Sequence, residues 1–235
     1  DKLIYADVDY KRWAKILLDI CNEYNIKRED YLDLACGTGN MTKELGKEFK
    51  HTWAVDISQE MLTEAEDKIR REKIKAKFVC QNIVDLKLNR KFDLITCVLD
   101  STNYILSDED LIKYFRCVYE HLNEDGIFVF DINSYYKLTK ILGNNIYNYD
   151  DGDVVYIWEN VLEDNIVDMY LTFFIKEGEF YRRFDEEHRE RAYKMSFLDK
   201  ILNDIGFIIL KKLNNYESEN IKEDTERIVY VLSKK

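Results

Sequence analysis

Gly37 and Gly39 stand two apart, directly after the apolar run Tyr31-Leu32-Asp33-Leu34-Ala35-Cys36, with Thr38 between them. Glycines at that spacing permit a tight turn and leave no side chain between the backbone and a ligand. Asp56 closes a second apolar run, Trp53-Ala54-Val55. A carboxylate there can accept hydrogen bonds from both hydroxyls of a ribose. Ile57, the next residue, can lie against one face of an adenine ring or simply pack. The combination points to an adenosine-containing cofactor on a parallel sheet, although a strand and helix joined by an ordinary glycine turn would share the first motif. Asp33 narrows the choice. A dinucleotide lays its pyrophosphate over the glycine turn, against a helix N-terminus, and a carboxylate there would repel it. An ammonium group suits the position, as in S-adenosylmethionine. The third glycine of G-x-G-x-x-G is also missing, with Thr42 in its place.

The elements that must position these residues follow from periodicity. Asp9 to Tyr24 carries Tyr10, Trp13, Ile16, Leu17, Ile20 and Cys21 at helical spacing, with Asp9 as a cap. Strands are expected at Tyr31–Leu34, Trp53–Asp56, Ala76–Cys80, Phe92–Leu99 and Ile127–Ile132, the last after a turn at Glu124-Asp125-Gly126. Helices are expected over Met41–Phe49, from the Ser58 cap with Met61, Leu62, Ala65 and Ile69 facing the sheet, and from Ser107 through Leu122. Beyond Tyr135 the pattern alternates at Val154–Trp158, Val161, Ile166–Phe174 and Glu179–Phe184, predicting three or four antiparallel strands. Arginines and glutamates interleave there, a solvated strand face in the plainest reading. His188 lies among them and is a candidate proton acceptor because its free pKa is near neutral. A helix over Ser196–Leu202 and strands at Phe207–Leu210 and Ile228–Leu232 complete the order, with Asn214–Thr225 read as an exposed loop.

At Asp33, Ala35, Gly37 and Gly39 the chain resembles the class I S-adenosylmethionine-dependent methyltransferases, in particular bacterial, clostridial-type small-molecule ones. Their first motif is acidic-x-Gly-x-Gly-x-Gly, from which Ala35 departs. The resemblance implies a Rossmann-like α/β fold, a seven-stranded sheet with helices on both faces, plus a small inserted antiparallel sheet. It assigns cofactor contacts to Asp33, Ala35, Gly37, Thr38, Gly39, Asp56 and Ile57, and to Asn82 and Ile83 at the adenine edge. An acidic residue is common where Asn82 stands, and Gln81 or Asp85 can substitute for it. The Leu99 carbonyl would receive the cofactor's ammonium, and Tyr10 and Trp13, with Tyr5, would belong to an N-terminal lid, core packing being the plainer role for Trp13. Asp100, Asn103 and Tyr104 would border the methyl-transfer site, so Asp100, Tyr104 and His188 are the catalytic candidates, positioning the acceptor. The expected organisation is a cofactor-binding core over residues 1–134, an inserted sheet acting as substrate lid over 135–193, and a helix and strands over 194–235 that complete the core.

Composition bounds the partners. At 235 residues, 46% hydrophobic and 14% aromatic, the chain can bury the core of one α/β domain with an insertion. A net charge of −11 opposes a nucleic-acid partner. No apolar run has membrane-spanning length and no signal-peptide pattern opens the sequence. The five cysteines are scattered without a C-x-x-C pair, which favours free thiols in a reducing cytoplasm over disulfides or a metal site. The expected function is methyl transfer to N or O of a small polar metabolite by a monomer or homodimer. A nicotinamide-dependent oxidoreductase and a non-catalytic binding module of the same fold stay open as alternatives.

Overall fold

The computed structural model describes residues 8–234, so Tyr5 lies outside the described residues. Apolar strands that alternate at period two are covered on both faces, which requires a central sheet between helical layers. Its parallel strands are β1 (Asp30–Leu34), β2 (His51–Asp56), β3 (Ala76–Cys80), β4 (Phe92–Cys97) and β5 (Leu122–Asn133). The sheet is completed by β10 (Phe207–Asn214) and β11 (Arg227–Lys234), giving the order β10-β11-β5-β4-β1-β2-β3. Strand β11 runs antiparallel between β5 and β10. Strand order reverses between β1 and β4, so a ligand crevice opens there, beyond the strands' carboxyl ends.

One face of the sheet buries Leu32, Leu34, Phe128 and Phe130 beneath α4 (Asp108–His121) and α5 (Met195–Ile205). The alternate residues Tyr31, Leu94 and Val129 pack on the other face with α1 (Tyr10–Glu23) and α2 (Asn40–Leu45). Asp9 caps α1 by accepting from the Arg12 N–H, and Ser58 caps α3 (Gln59–Arg71) by accepting from Met61. Leu62, Ala65 and Ile69 of α3 are buried, whereas Met61, expected to face the sheet, is 46% exposed in the helix's first turn. Helix α2 is shorter than periodicity predicted: it passes into a 3₁₀ turn at Gly46, where a Cβ would lie 3.2 Å from Ile74. The expected turn at Glu124–Gly126 is a bulged start to β5, with Leu122 opposite Phe92 and Ile127 opposite Leu94. Gly126 is needed there, since a Cβ would come within 2.9 Å of the Phe92 carbonyl.

The insertion is a separate sheet of four antiparallel strands, β6 (Ile146–Asp150), β7 (Val154–Glu163), β8 (Ile166–Glu177) and β9 (Phe180–Arg191). Strand β9 runs seven residues past the expected strand end at Phe184, which places His188 and Glu190 within it on one face. The sheet's inner face packs on a π-helical turn at Lys137–Leu142 through Val167 and Met169. The connection between β10 and β11 is not a wholly exposed loop: Tyr216 is 2% exposed within it.

Candidate active site

The carboxyl ends of β1 to β4 assemble the expected cofactor side. Ala35, Gly37 and Gly39 all adopt left-handed φ values, +51°, +53° and +78°. A Cβ on Gly37 would meet no atom within 4 Å, so that glycine faces open space, whereas a Cβ on Gly39 would come within 3.1 Å of Ala65. The two glycines therefore do different work: one opens the turn to a ligand, the other lets α2 approach α3. Asp56 holds the turn from β2, accepting from the Gly37 N–H (2.8 Å) and the Ser58 N–H (2.9 Å). Thr38 accepts from Lys68 (2.9 Å). Ile57, 69% exposed beside Asp56, offers a bare apolar face. Asn82 caps a 3₁₀ turn over Ile83–Asp85 by accepting from the Val84 N–H, which sets both Asn82 and Ile83 at the end of β3. An open glycine turn, a fixed carboxylate, an apolar platform and an amide in one crevice fit an adenosine group.

Asp33 differs from expectation. It is 1% exposed and accepts from Thr42 (2.5 Å) and Thr96 (3.0 Å), so it stands behind the glycine turn instead of at its mouth. Burial pushes its carboxyl up to about 6 against the pull of those hydroxyls. Thr42, occupying the third-glycine position, is there to serve Asp33. Tyr10 and Trp13 are likewise buried: Trp13 stacks on Tyr216, with ring centroids 4.3 Å apart, and the Arg227 guanidinium lies 5.5 Å from its ring. They form the wall behind the site, not an exposed lid, because α1 is clamped to the β10–β11 connection.

The chain leaves β4 through two consecutive left-handed residues, Leu99 (φ +60°) and Asp100 (φ +52°). Non-glycine residues in that region cost about 1–3 kcal/mol each and persist only where surroundings enforce them. Asp131, fully buried at the end of β5, supplies the enforcement. Its carboxylate accepts from the Leu99 N–H (2.9 Å), the Asp100 N–H (2.8 Å), the Tyr216 hydroxyl (2.6 Å) and Arg227. Arg227 also donates to Asp100 (2.7 Å). Burial works against the guanidinium charge, yet Asp131 and Asp100 hold it above its ordinary range.

On the expected acceptor side, β9 brings His188 to Tyr104, with 3.3 Å between Nδ1 and the phenol oxygen and 3.3 Å from Nε2 to Glu186. Asp100 shares this space but spends one oxygen on Arg227. Asn103 is a buried brace: it donates to the Asn133 and Arg191 carbonyls and accepts from the Asn133 N–H. Glu190, 3% exposed, accepts from the Asn133 side chain (2.8 Å), and Lys137 donates to the same Asn133 (3.0 Å). Burial, then the Asp100 charge, pushes Glu190 up to about 8. Sequence reading missed Asp131, Asn133, Lys137, Glu190 and Arg227. Asp131 did carry a signal, a carboxylate ending an apolar strand as Asp56 does.

A sheet in this order, with a glycine turn after β1 and carboxylates ending β2 and β5, defines a class I S-adenosylmethionine-dependent methyltransferase, and the chain belongs to that family. The methyltransferase domain family model matches residues 32–126. A protein of Geobacillus sp. (strain WCH70), provisionally described as a methyltransferase, is 31% identical over 100% of this chain and 96% of its own. A crystal structure of an S-adenosylmethionine-dependent methyltransferase from Clostridium acetobutylicum superposes with a TM-score of 0.96 at 56% identity, covering 99% of this chain and 95% of that one. A Streptomyces venezuelae dTDP-3-amino-3,4,6-trideoxy-α-D-glucopyranose N,N-dimethyltransferase is 30% identical over 52% of this chain and 49% of its own. The cofactor is S-adenosylmethionine.

Proposed function

We propose that this methyltransferase acts on N or O of a small polar metabolite in the cytoplasm, with nitrogen the preferred acceptor. The observation that carries this reading is the cluster of Tyr104, His188, Asp100 and Glu190 where the 3₁₀ turn after β4 meets β9. S-adenosylmethionine supplies an electrophilic methyl group on positively charged sulfur. The chain's part is to hold the reactants in line and exclude water, an effect that can supply about 7–11 kcal/mol. In this reading Asp56 accepts from the ribose hydroxyls, Ile57 lies on the adenine ring and Asn82 with Ile83 meets its edge. Ala35, Gly37, Thr38 and Gly39 shape the turn beneath the methionine part, with Asp33 bracing them from behind. The Leu99 carbonyl accepts from the cofactor's ammonium, and Tyr104 and His188 orient the acceptor while Tyr10 and Trp13 back the wall. The segment over 135–193 serves as the substrate lid. The amino-sugar substrate of the Streptomyces relative supports nitrogen over oxygen.

The test is calorimetric titration with S-adenosylmethionine, S-adenosylhomocysteine and NAD, followed by transfer of isotopically labelled methyl to a panel of amines and hydroxylated metabolites. Binding of the first two, silence to NAD and label in an amine are expected. Label found only in protein or nucleic acid would refute the small-molecule reading.

A further inference from the structure

Glu190 is a carboxyl group with no structural need to be ionisable. Asp131 is already matched to Arg227, and Arg227 is shared with Asp100. Glu190 sits beside this pair, facing Asp100 from the turn after β4, Tyr104 from the 3₁₀ turn that follows, Lys137 from the π-helical turn and Arg227 from β11. His188 and Glu186 precede it on the same face of β9. Among the described residues its one hydrogen bond is at Oε2, from the Asn133 amide, which leaves Oε1 for a ligand. That amide also takes a hydrogen bond from Lys137, so Asn133 links the carboxyl and the ammonium without a direct ion pair. Burial makes charge costly for both partners, and it lowers Lys137 as it raises Glu190.

We infer that Glu190 is the catalytic proton acceptor of this site and that the methyl acceptor is an amine arriving as an ammonium ion. The inference rests on the methyltransferase reading above. Glu186 and ionised Glu190 disfavour an anionic nucleophile on this side of the crevice, Asp100 being matched by Arg227, and the Tyr104 ring suits a cation. An ammonium nitrogen has no lone pair, so it must lose a proton before it can attack. The acceptor's N–H bond breaks, its electron pair stays on nitrogen and the proton passes to Glu190 Oε1. The nitrogen pair then forms the N–C bond while the S–C bond breaks, its electrons remaining on sulfur. Glu190 returns the proton to solvent as products leave. A carboxyl raised to about 8 is matched to this exchange, because a base works best with its pKa near the operating pH.

A positive charge entering beside Glu190 lowers its pKa by about 1 unit or more, so S-adenosylmethionine, but not uncharged-sulfur S-adenosylhomocysteine, should expel its proton. Calorimetric titration of the whole protein near about pH 7.5, in phosphate and in Tris, counts the protons released; about half a proton per S-adenosylmethionine is expected. Glu190→Gln should abolish the release while affinity stays within about threefold, and Glu190→Asp should keep it. In label transfer to amines, the acid limb should lie at about pH 7, roughly one unit below the free-enzyme value of about 8 once S-adenosylmethionine is bound, and should move upward in Glu190→Gln toward the amine's own pKa. Unchanged proton release in Glu190→Gln, no release in the wild type, or turnover of hydroxyl acceptors alone would overturn the inference. Failure to bind either cofactor form would instead remove the methyltransferase assignment on which it rests.

Discussion

Asp56 and Asp33 are two carboxylates with opposite surroundings. Asp56 ends β2 at the crevice, gripping Gly37 and Ser58 with its oxygens. Asp56→Ala should weaken S-adenosylmethionine binding at least about tenfold, since it removes a charged acceptor and loosens the turn that shapes the site. Calorimetry checks this, and unchanged affinity would misplace the ribose. Asp33 is shut in with two threonine hydroxyls, and its pKa rises to about 6. Between about pH 4 and that value the folded chain therefore holds a proton that the unfolded chain has released. Stability from this group is greatest in acid and is lost as pH climbs through that window, by at most about 3 kcal/mol, then levels off. Urea denaturation across the window should show Asp33→Asn gaining on the wild type up to pH 6 and holding a constant difference above it. Parallel curves would show that Asp33 ionises freely. Asp33 was legible from the sequence as an acidic group after an apolar strand, but its enclosure was not, because Thr96 lies 63 residues away.

The turn leaving β4 shows how an element can be held in a costly conformation. Leu99 and Asp100 carry ordinary side chains in left-handed backbone, and the sequence has no glycine there to announce it. The Asp131 carboxylate pins both N–H groups, and Arg227 and Tyr216 complete its partners. Removing one member of a buried ion pair leaves the other uncompensated, so Arg227→Met should cost about 3–5 kcal/mol, measured by chemical denaturation. Tyr216→Phe removes a single hydroxyl from the same carboxylate and should cost only about 1–2 kcal/mol. A comparable loss in both variants would mean that the network acts as one unit. The strands and helices of the core were readable because their apolar periods are strong. The second half of strand β9 was not, since Glu186 to Arg191 contains no apolar residue and reads as a solvated charge run. Its pairing with Ile166–Leu171 of β8 supplies the order that its own sequence lacks.

At the scale of the molecule, a deeply covered seven-stranded sheet supports a smaller four-stranded one. The smaller sheet touches its own satellite core over Lys137–Leu142 and exposes most of edge strand β6. Local stability follows buried apolar contact. Amide hydrogen exchange should therefore be fastest in β6 and slowest in β1, β4 and β5, with S-adenosylmethionine slowing the turn at Leu99 and Asp100. Equal protection in the two sheets would contradict the division. The order of the main elements was visible in the sequence, as was the insertion. Of the residues gathered on the proposed acceptor side, Asp100, Tyr104 and His188 were legible in the sequence, whereas Asn133, Lys137, Glu190 and Arg227 were hidden because no local pattern connects positions so far apart.

Strand β11 has a consequence for how the protein is made. It follows all the other described strands in sequence order, yet it lies inside the sheet, between β5 and β10, and it carries Arg227. While a ribosome is still threading residues before 227, the earlier segments have an unfilled seat beside β5, and Asp131 there lacks its counter-ion. The half of the crevice built by β1 to β3 leans on β4, whose Thr96 holds Asp33, and takes no strand pairing from β11. In the proposed reading the polypeptide therefore acquires a place for a nucleoside before β11 emerges and a place for an acceptor only with it, so a nascent chain stalled before β11 should capture adenosine compounds without transferring anything.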